Sequence, residues 1–252
     1  MNTSLLKRLA FCVMPLVWTH QALAAEVSVA VAANFAAPMK IIAQDFERAT
    51  GHKAVLSFGG TGQFYAQIKN GAPYLLLLAA DAHTPAKIEK EGLGVTGTTF
   101  TYAVGQLVLW SKTPGRVDDQ GEILKMGNFS KLAIANPKLA PYGAAAIEVL
   151  NHLGVMSQVK SKIVEGANIA QTYQFVFSEN ADLGFVALSQ VYENGKFKQG
   201  SGWVVPNLMY SPIKQDTVLL NPGRDNPAAI ALLTYLRSDA AKAVIRKFGY
   251  EF

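Results

Sequence analysis

Apolar residues fall along this chain in two alternating rhythms. Residues 26–32 form a short valine-rich run, the pattern of a strand buried on both faces. Behind it, Phe35, Met39, Ile42 and Phe46 return every three or four residues, which predicts a helix over 34–50 with Gly51 as its stop. Pro38 belongs in a first turn, so the start of that helix is open. The same alternation continues. Strands are predicted at 53–58 and 75–80, with a helix over 63–70 between them that ends at Gly71. Thr84-Pro85 opens a third helix, with a capping residue and a proline at the first helical position, and Gly92 ends it. A long apolar strand covers 101–110. Later strands fall at 132–135, 163–165, 183–188, 203–205 and 216–220. Helices are expected at 142–153, 170–178, 228–237 (capped by Asn226-Pro227) and 240–248. Strand–helix alternation predicts an α/β fold with mostly parallel sheets. In such sheets ligands bind beyond the carboxyl ends of the strands, where helices begin.

The first residues break this pattern. Lys7-Arg8 precedes an apolar run over 9–18, and Ala22-Leu23-Ala24 follows with a small-x-small cleavage pattern. This is the anatomy of a secretory signal peptide over 1–24, cut after Ala24. The run is too short to span a bilayer, which needs about 20 residues. Cys12 follows Phe11, where a lipidated cysteine needs a small residue, so a lipoprotein is rejected. Removal of the segment lowers the formal net charge from +5 to +3 and takes away the single cysteine. Disulfides, cysteine nucleophiles and thiolate metal sites are thereby excluded from the mature chain. The remaining charge is too small and scattered for a nucleic-acid footprint. No further segment is apolar enough to cross a membrane.

The informative residues are therefore those at strand-to-helix junctions. Four of these share one character: Ala32-Ala33-Asn34-Phe35, Gly59-Gly60-Thr61-Gly62-Gln63, Ala140-Pro141-Tyr142-Gly143-Ala144 and Gly166-Ala167-Asn168-Ile169-Ala170. Each opens a helix, and none holds Lys, Arg, Asp or Glu. A helix N-terminus presents unpaired N–H groups and a partial positive charge. Several such ends together cradle an anion without any cationic side chain. Glycine lets the backbone come close, and Thr61 and Asn34 are expected to add side-chain donors. Taken singly, Thr61 and Asn34 fit ordinary N-caps and Tyr142 a half-buried ring. Only the four together point to an oxyanion.

Other chemistry finds little support. His52, His83 and His152 lack metal-ligand spacing. The glycine run at 59–62 lacks the Gly-Lys-Ser/Thr of a phosphate-binding loop, and no Gly-x-Ser-x-Gly elbow occurs. Asp81 at a strand end reads as a loop cap without a partner acid. Tyr173, Phe175 and Phe177 read as helix core.

At these junctions the sequence resembles the periplasmic molybdate-binding proteins of ABC-type importers. Carrying the resemblance are Ala32-Ala33-Asn34-Phe35, Gly59-Gly60-Thr61-Gly62, Tyr65-Ala66-Gln67-Ile68, Asn70-Gly71-Ala72-Pro73, Phe100-Thr101-Tyr102-Ala103-Val104-Gly105, Ala140-Pro141-Tyr142-Gly143 and Asp182-Leu183-Gly184-Phe185, among others from about 27 to 250. The resemblance implies a two-lobed type II periplasmic-binding-protein fold with two hinge strands. Lobe I would hold 25–103 and 204–252, and lobe II 104–203. It implies a monomer in the periplasm that binds molybdate or tungstate in the cleft and delivers it to a membrane permease, with no cofactor and no catalysis. The expected binding set is Asn34, Thr61, Tyr142 and the backbone of Ile169, with Ala33 and Gly60 beside them. The sequence departs from the family's pattern at Ala33, where some members carry a hydroxyl, at Ala187, where another branch has a tyrosine, and at Tyr74-Leu75-Leu76-Leu77, which replaces a more polar stretch. The alternatives are another tetrahedral oxyanion such as sulfate or phosphate, a receptor module, or an enzyme on the same fold. The porphobilinogen-polymerising enzymes of this architecture attach their cofactor through a cysteine, which the mature chain lacks.

Overall fold

The computed structural model describes residues 24–252. The expected signal peptide, apart from Ala24, lies outside the described residues. In chain order, β1 (Glu26–Ala32), α1 (Ala36–Thr50), β2 (Lys53–Gly59), α2 (Thr61–Lys69), β3 (Leu76–Leu78), α3 (His83–Lys90) and β4 (Phe100–Gly105) come first. The middle of the chain forms β5 (Leu107–Ser111), α4 (Ile123–Met126), β6 (Leu132–Ala135), α5 (Pro141–His152), α6 (Met156–Val159), β7 (Ile163–Gly166), α7 (Ile169–Phe177), β8 (Leu183–Ala187) and α8 (Leu188–Val191). A small ribbon of β9 (Tyr192–Glu193) and β10 (Lys196–Phe197) leads to β11 (Ser201–Val204), β12 (Ile213–Leu219), α9 (Pro227–Tyr235) and α10 (Asp239–Lys247).

Ten of these strands build two five-stranded sheets, ordered β2-β1-β3-β12-β4 and β11-β5-β8-β6-β7. Four strands of each sheet run the same way; β12 opposes its neighbours in the first and β5 in the second. The chain passes between the sheets at Gln106 and again over 205–212. Both sheets are covered on both faces, which explains their apolar runs. From β1, Val27, Val29 and Val31 pack with Phe35, Met39, Ile42 and Phe46, while Ala30 packs on the other face with Phe64 and Ile88. From β5, Leu107 and Leu109 pack with Ile134, Tyr142 and Val149, while Val108 and Trp110 pack with Val176 and Val186.

Several sequence expectations are corrected. The single strand over 101–110 is two strands in different sheets, broken at Gln106. Alternating burial on two covered faces looks the same in either sheet, so hydrophobicity does not mark the crossing. The first helix begins with a 3-10 turn, Ala33–Phe35, which leaves Pro38 in the first turn of α1, where its missing N–H does no harm. Thr84 does not cap α3: the helix starts at His83 with Ala82 as its N-cap, which puts Thr84 and Pro85 inside the first turn, and Asp81 just before it accepts from the Thr84 N–H (2.6 Å) and the Thr84 hydroxyl (3.1 Å). The helices at Asn226 and Ser238 are capped by those side chains, which accept from Ala229 and Ala241 N–H.

Close approach of α5 to the end of β6 requires glycine at one position. A Cβ on Gly143 would lie 2.1 Å from the Ala135 carbonyl oxygen and 2.7 Å from its carbon. Backbone atoms cannot swing aside as a side chain does, so the helix must shift. Gly143→Ala is expected to lower unfolding stability by ~1–3 kcal/mol in denaturant titration. A stability equal to that of the wild type would show that this packing is looser than described.

Candidate functional site

All four junctions meet at one place. Ala33 and Asn34 follow β1, and Gly60 and Thr61 follow β2, both in the first sheet. Tyr142 starts α5 behind β6, and Ile169 starts α7 behind β7, both in the second. With Ala80, Ala140 and Asn168 they line a small cavity of about 10 Å³, space for roughly one water-sized sphere. The two sides touch beside it. The Gly62 N–H donates across to the Leu139 carbonyl (3.2 Å). A Cβ on Gly60 would lie 3.5 Å from the Asn168 Cβ, an ordinary contact that leaves little slack.

The helix starts are arranged so that particular donors stay uncommitted. In α7, Asn168 is the N-cap, and its Oδ1 accepts from Ala170 and Gln171 N–H (3.0 and 3.1 Å). The first helical N–H, that of Ile169, has no intrahelical partner and is passed over by the cap. In α2, Gly60 is the N-cap, and the Gln63 side chain accepts from its N–H (3.0 Å). Thr61, 2% exposed, comes next. Its Oγ1 does not cap α2 but accepts from the Ala80 N–H (2.9 Å) at the end of β3. That bond engages the oxygen as acceptor and leaves the hydroxyl proton to donate. In α5, Pro141 contributes no N–H, so the first is that of Tyr142. The Tyr142 hydroxyl accepts from Gln215 Nε2 (3.0 Å), which again leaves its proton to donate.

One expected donor is not available. Asn34, 2% exposed, spends its side-chain amide on Gln215 Oε1 and the Tyr250 hydroxyl, both at 2.9 Å. What it presents to the cavity is backbone at the start of a helical turn. Its carbonyl accepts from Ser189 Oγ (2.8 Å) and the Tyr250 hydroxyl (2.9 Å). This buried network is the part of the site that sequence reasoning missed. Gln215, Tyr250, Tyr102 and Ser189 lie outside the junctions, and Gln215 and Tyr250 are 181 and 216 residues from Asn34. Asn168 sat inside a quoted junction, and its capping residue type was a usable signal. Ala187 is fully buried and does not line the cavity.

No Lys, Arg, His, Asp or Glu lines the cavity. Burial holds the Tyr142 hydroxyl well above the usual phenol range, and that of Tyr250 is pushed up to about 12, also by burial, so both keep their protons at neutral pH. A wider cleft of about 450 Å³ opens alongside, bordered by Asp81, His83, Lys138, Glu148 and Lys214. Burial raises the pKa of Asp81 there, against the hydrogen bonds from Thr84. Among the described residues no group of three or more His, Cys, Asp or Glu is placed to hold a metal ion. Tyr173 stacks on Trp110 at 5.5 Å on the far face of the second sheet, as part of the packing there.

A family model described as bacterial extracellular solute-binding protein matches residues 27–251. The molybdate-binding protein ModA of Azotobacter vinelandii is 63% identical over 227 residues, covering 90% of each chain. The protein of the same name from Rhodobacter capsulatus is 52% identical over 229 residues, covering 91% of this chain and 89% of its own. The solved structure of the Azotobacter vinelandii periplasmic molybdate-binding protein superposes with a TM-score of 0.87 at 39% identity, covering 90% of this chain and 99% of that one.

The Thr61–Ala80 hydrogen bond has a measurable consequence without any ligand. Thr61→Val keeps the shape and leaves the buried Ala80 N–H unpaired, so it should lower stability by ~1–3 kcal/mol, while Thr61→Ser should not. Equal melting of the two variants would mean that the bond contributes nothing.

Proposed function

The chain belongs to the bacterial extracellular solute-binding proteins, and from that premise we propose that it captures molybdate between its two lobes and delivers it to a membrane importer. The observation that carries the reading is the cavity itself: donors from helix starts of both sheets, gathered around a small space with no charged side chain in its lining. A dianion there meets N–H groups and hydroxyls on several sides, with the partial positive ends of helices behind them. The ligand named for the two bacterial relatives is of this chemical kind. The set we propose is the hydroxyls of Thr61 and Tyr142 and the backbone at Asn34 and Ile169, with Ala33 and Gly60 forming the close walls.

Neutral donors also suit release. A buried ion pair would have to be broken and both charges resolvated, whereas hydrogen bonds to N–H and O–H are replaced by water as the lobes part. The lining has no base to activate a nucleophile, so the reading is one of binding rather than catalysis. It extends to export behind the signal peptide, action as a monomer in the periplasm, and docking on the permease of an ABC importer. No helix among the described residues is long and apolar enough to cross a membrane, so on this reading the transport step falls to that partner. The lobe bounds expected at 103/104 and 203/204 move slightly: Val104 and Gly105 pair with β12 in the first sheet and Val204 with β5 in the second, so on this reading lobe I is 25–105 and 213–252, lobe II is 107–204, and the crossings at Gln106 and 205–212 are the hinges.

Size and protonation then decide among tetrahedral anions. Tungstate matches molybdate in charge and shape and is expected to bind alike. Sulfate is smaller and cannot reach every donor at once, and each donor left unpaired weakens binding by ~1–3 kcal/mol. Phosphate retains a proton near neutral pH and needs an acceptor, which no carboxylate in the lining provides. Calorimetric titration of the mature protein should give molybdate and tungstate affinities on the order of a hundredfold or more above sulfate. Equal affinities for sulfate and molybdate would overturn the ligand assignment.

A second variant at Thr61 isolates its role toward the ligand. Thr61→Asp keeps an acceptor for the Ala80 N–H, removes the donor, and places a carboxylate against the dianion. The protein should stay folded and lose molybdate binding by like-charge repulsion, of ~1 kcal/mol or more even in a high-dielectric setting. A folded Thr61→Asp variant that binds molybdate as the wild type does would remove Thr61 from the site.

A further inference from the structure

Gln215 is fully buried on β12, the strand by which the chain returns from the second sheet to the first. The pairing of β12 with β4 shifts register between Gln215 and Asp216, and such an irregularity re-aims the side chain beside it. Its amide reaches both lobes. Oε1 accepts from Asn34 Nδ2 (2.9 Å) and lies 3.1 Å from the Tyr102 hydroxyl, which also reaches the Ala79 carbonyl (2.8 Å). Nε2 donates to the Tyr142 hydroxyl (3.0 Å) on α5, in the opposite lobe. Gly105, the last residue of β4 before the other crossing, makes room for this meeting. A Cβ there would lie 2.1 Å from the Tyr142 hydroxyl oxygen and 2.5 Å from Gln215 Nε2. Residues beside both crossings therefore converge on one phenol.

We propose that Gln215 is a positioning residue: it holds the Tyr142 hydroxyl as an acceptor, turns that hydroxyl's single proton into the cavity, and makes this donor available only when the lobes are closed. The inference rests on the oxyanion reading above and adds to it the group that orients the donor. The orientation follows from the amide's two ends. Asn34 Nδ2 can only donate, so it faces Oε1. Nε2–H is then left for Tyr142, whose oxygen, once it has accepted, has one proton to give. Separation of the lobes carries Tyr142 away from β12 and dissolves the constraint, so capture and closure are tied through one side chain.

Gln215→Glu preserves the shape and makes the constraint titratable. A neutral glutamic acid can accept from Asn34 and donate to Tyr142, as glutamine does. A carboxylate can only accept, so the Tyr142 proton turns toward it and away from the cavity, and a negative charge faces the anion. The ionisable groups around this position are Tyr102 on β4, Tyr142 on α5, Tyr210 in the second crossing and Tyr250 near the C-terminus, with the carboxylates of Asp81 and Asp216 farther out. The four phenols are held protonated by burial, and both carboxylates are present in the wild type, whose own titration serves as the reference.

The test is calorimetric titration of the mature chain with sodium molybdate from pH 5.5 to 8.5, roughly the window in which a buried carboxyl of raised pKa titrates, with thermal melting as the check of folding. Wild-type affinity should be flat. Gln215→Glu should be weaker by roughly a hundredfold at the alkaline end and recover by up to about tenfold per pH unit as the solution is acidified. Gln215→Met should be weaker and flat. In a Tyr142→Phe background Gln215→Met should add little further loss, because its effect passes through Tyr142. A Gln215→Glu profile parallel to the wild type, or a Gln215→Met loss of equal size with and without the Tyr142 hydroxyl, would overturn the proposal while leaving the oxyanion reading intact. A wild type that takes up no molybdate would sink both.

Discussion

A dianion taken out of water must be met by hydrogen-bond donors on every side, and each donor left unmet or each charge left bare is costly. In this protein that constraint falls on where strands end. The carboxyl ends of β1 and β2 in one sheet and of β6 and β7 in the other all open onto the same small cavity. Helices start there, and the first N–H groups of a helix stand without intrahelical partners as a matter of geometry. The two sheets, the crossings at Gln106 and 205–212, and the close contact of Gly62 with Leu139 bring four such ends within reach of one ligand.

The local chemistry at each end decides which donor remains. Asn168 caps two N–H groups and leaves the Ile169 N–H; the Ala80 N–H engages the Thr61 oxygen and leaves its proton; Gln215 does the same for Tyr142. In each case a neighbour commits one half of a group so that the other half has a single direction. A site assembled this way is polar in one sense only, offering donors without acceptors. That sign preference comes without a formal charge in the lining.

Much of this is legible in the sequence because it is local. Small, hydroxyl and amide residues after an apolar run, with a helical period following, mark the four junctions without any knowledge of tertiary structure, the family resemblance narrows them to Asn34, Thr61, Tyr142 and Ile169, and the structure brings all four to one cavity. Signals that depend on long-range contact were not legible. Gln215 sits in the middle of an ordinary strand pattern, and nothing in Ile213–Leu219 shows that its side chain will meet Asn34, Tyr102 and Tyr142. The Asn34 amide looks like a free donor until that network claims it. The passage from β4 to β5 is likewise silent, because Tyr102, Ala103, Leu107 and Leu109 are buried equally on either side of it. Asp81 and Thr84 show the intermediate case: a helix start was visible, but Thr84 lies inside its first turn and donates to Asp81 instead of capping it.

The central claim is that the ligand is held by neutral donors at the junction of both lobes, not by the lysines of the neighbouring cleft. A crystal structure of the molybdate complex, with the metal located by its anomalous scattering, tests this most directly. The account predicts molybdenum in the small cavity, with oxygens within hydrogen-bond distance of the Thr61 and Tyr142 hydroxyls and of backbone N–H groups at Asn34 and Ile169, and no cationic side chain in contact. Molybdenum in the wider cleft beside His83, Lys138 and Lys214 would contradict it.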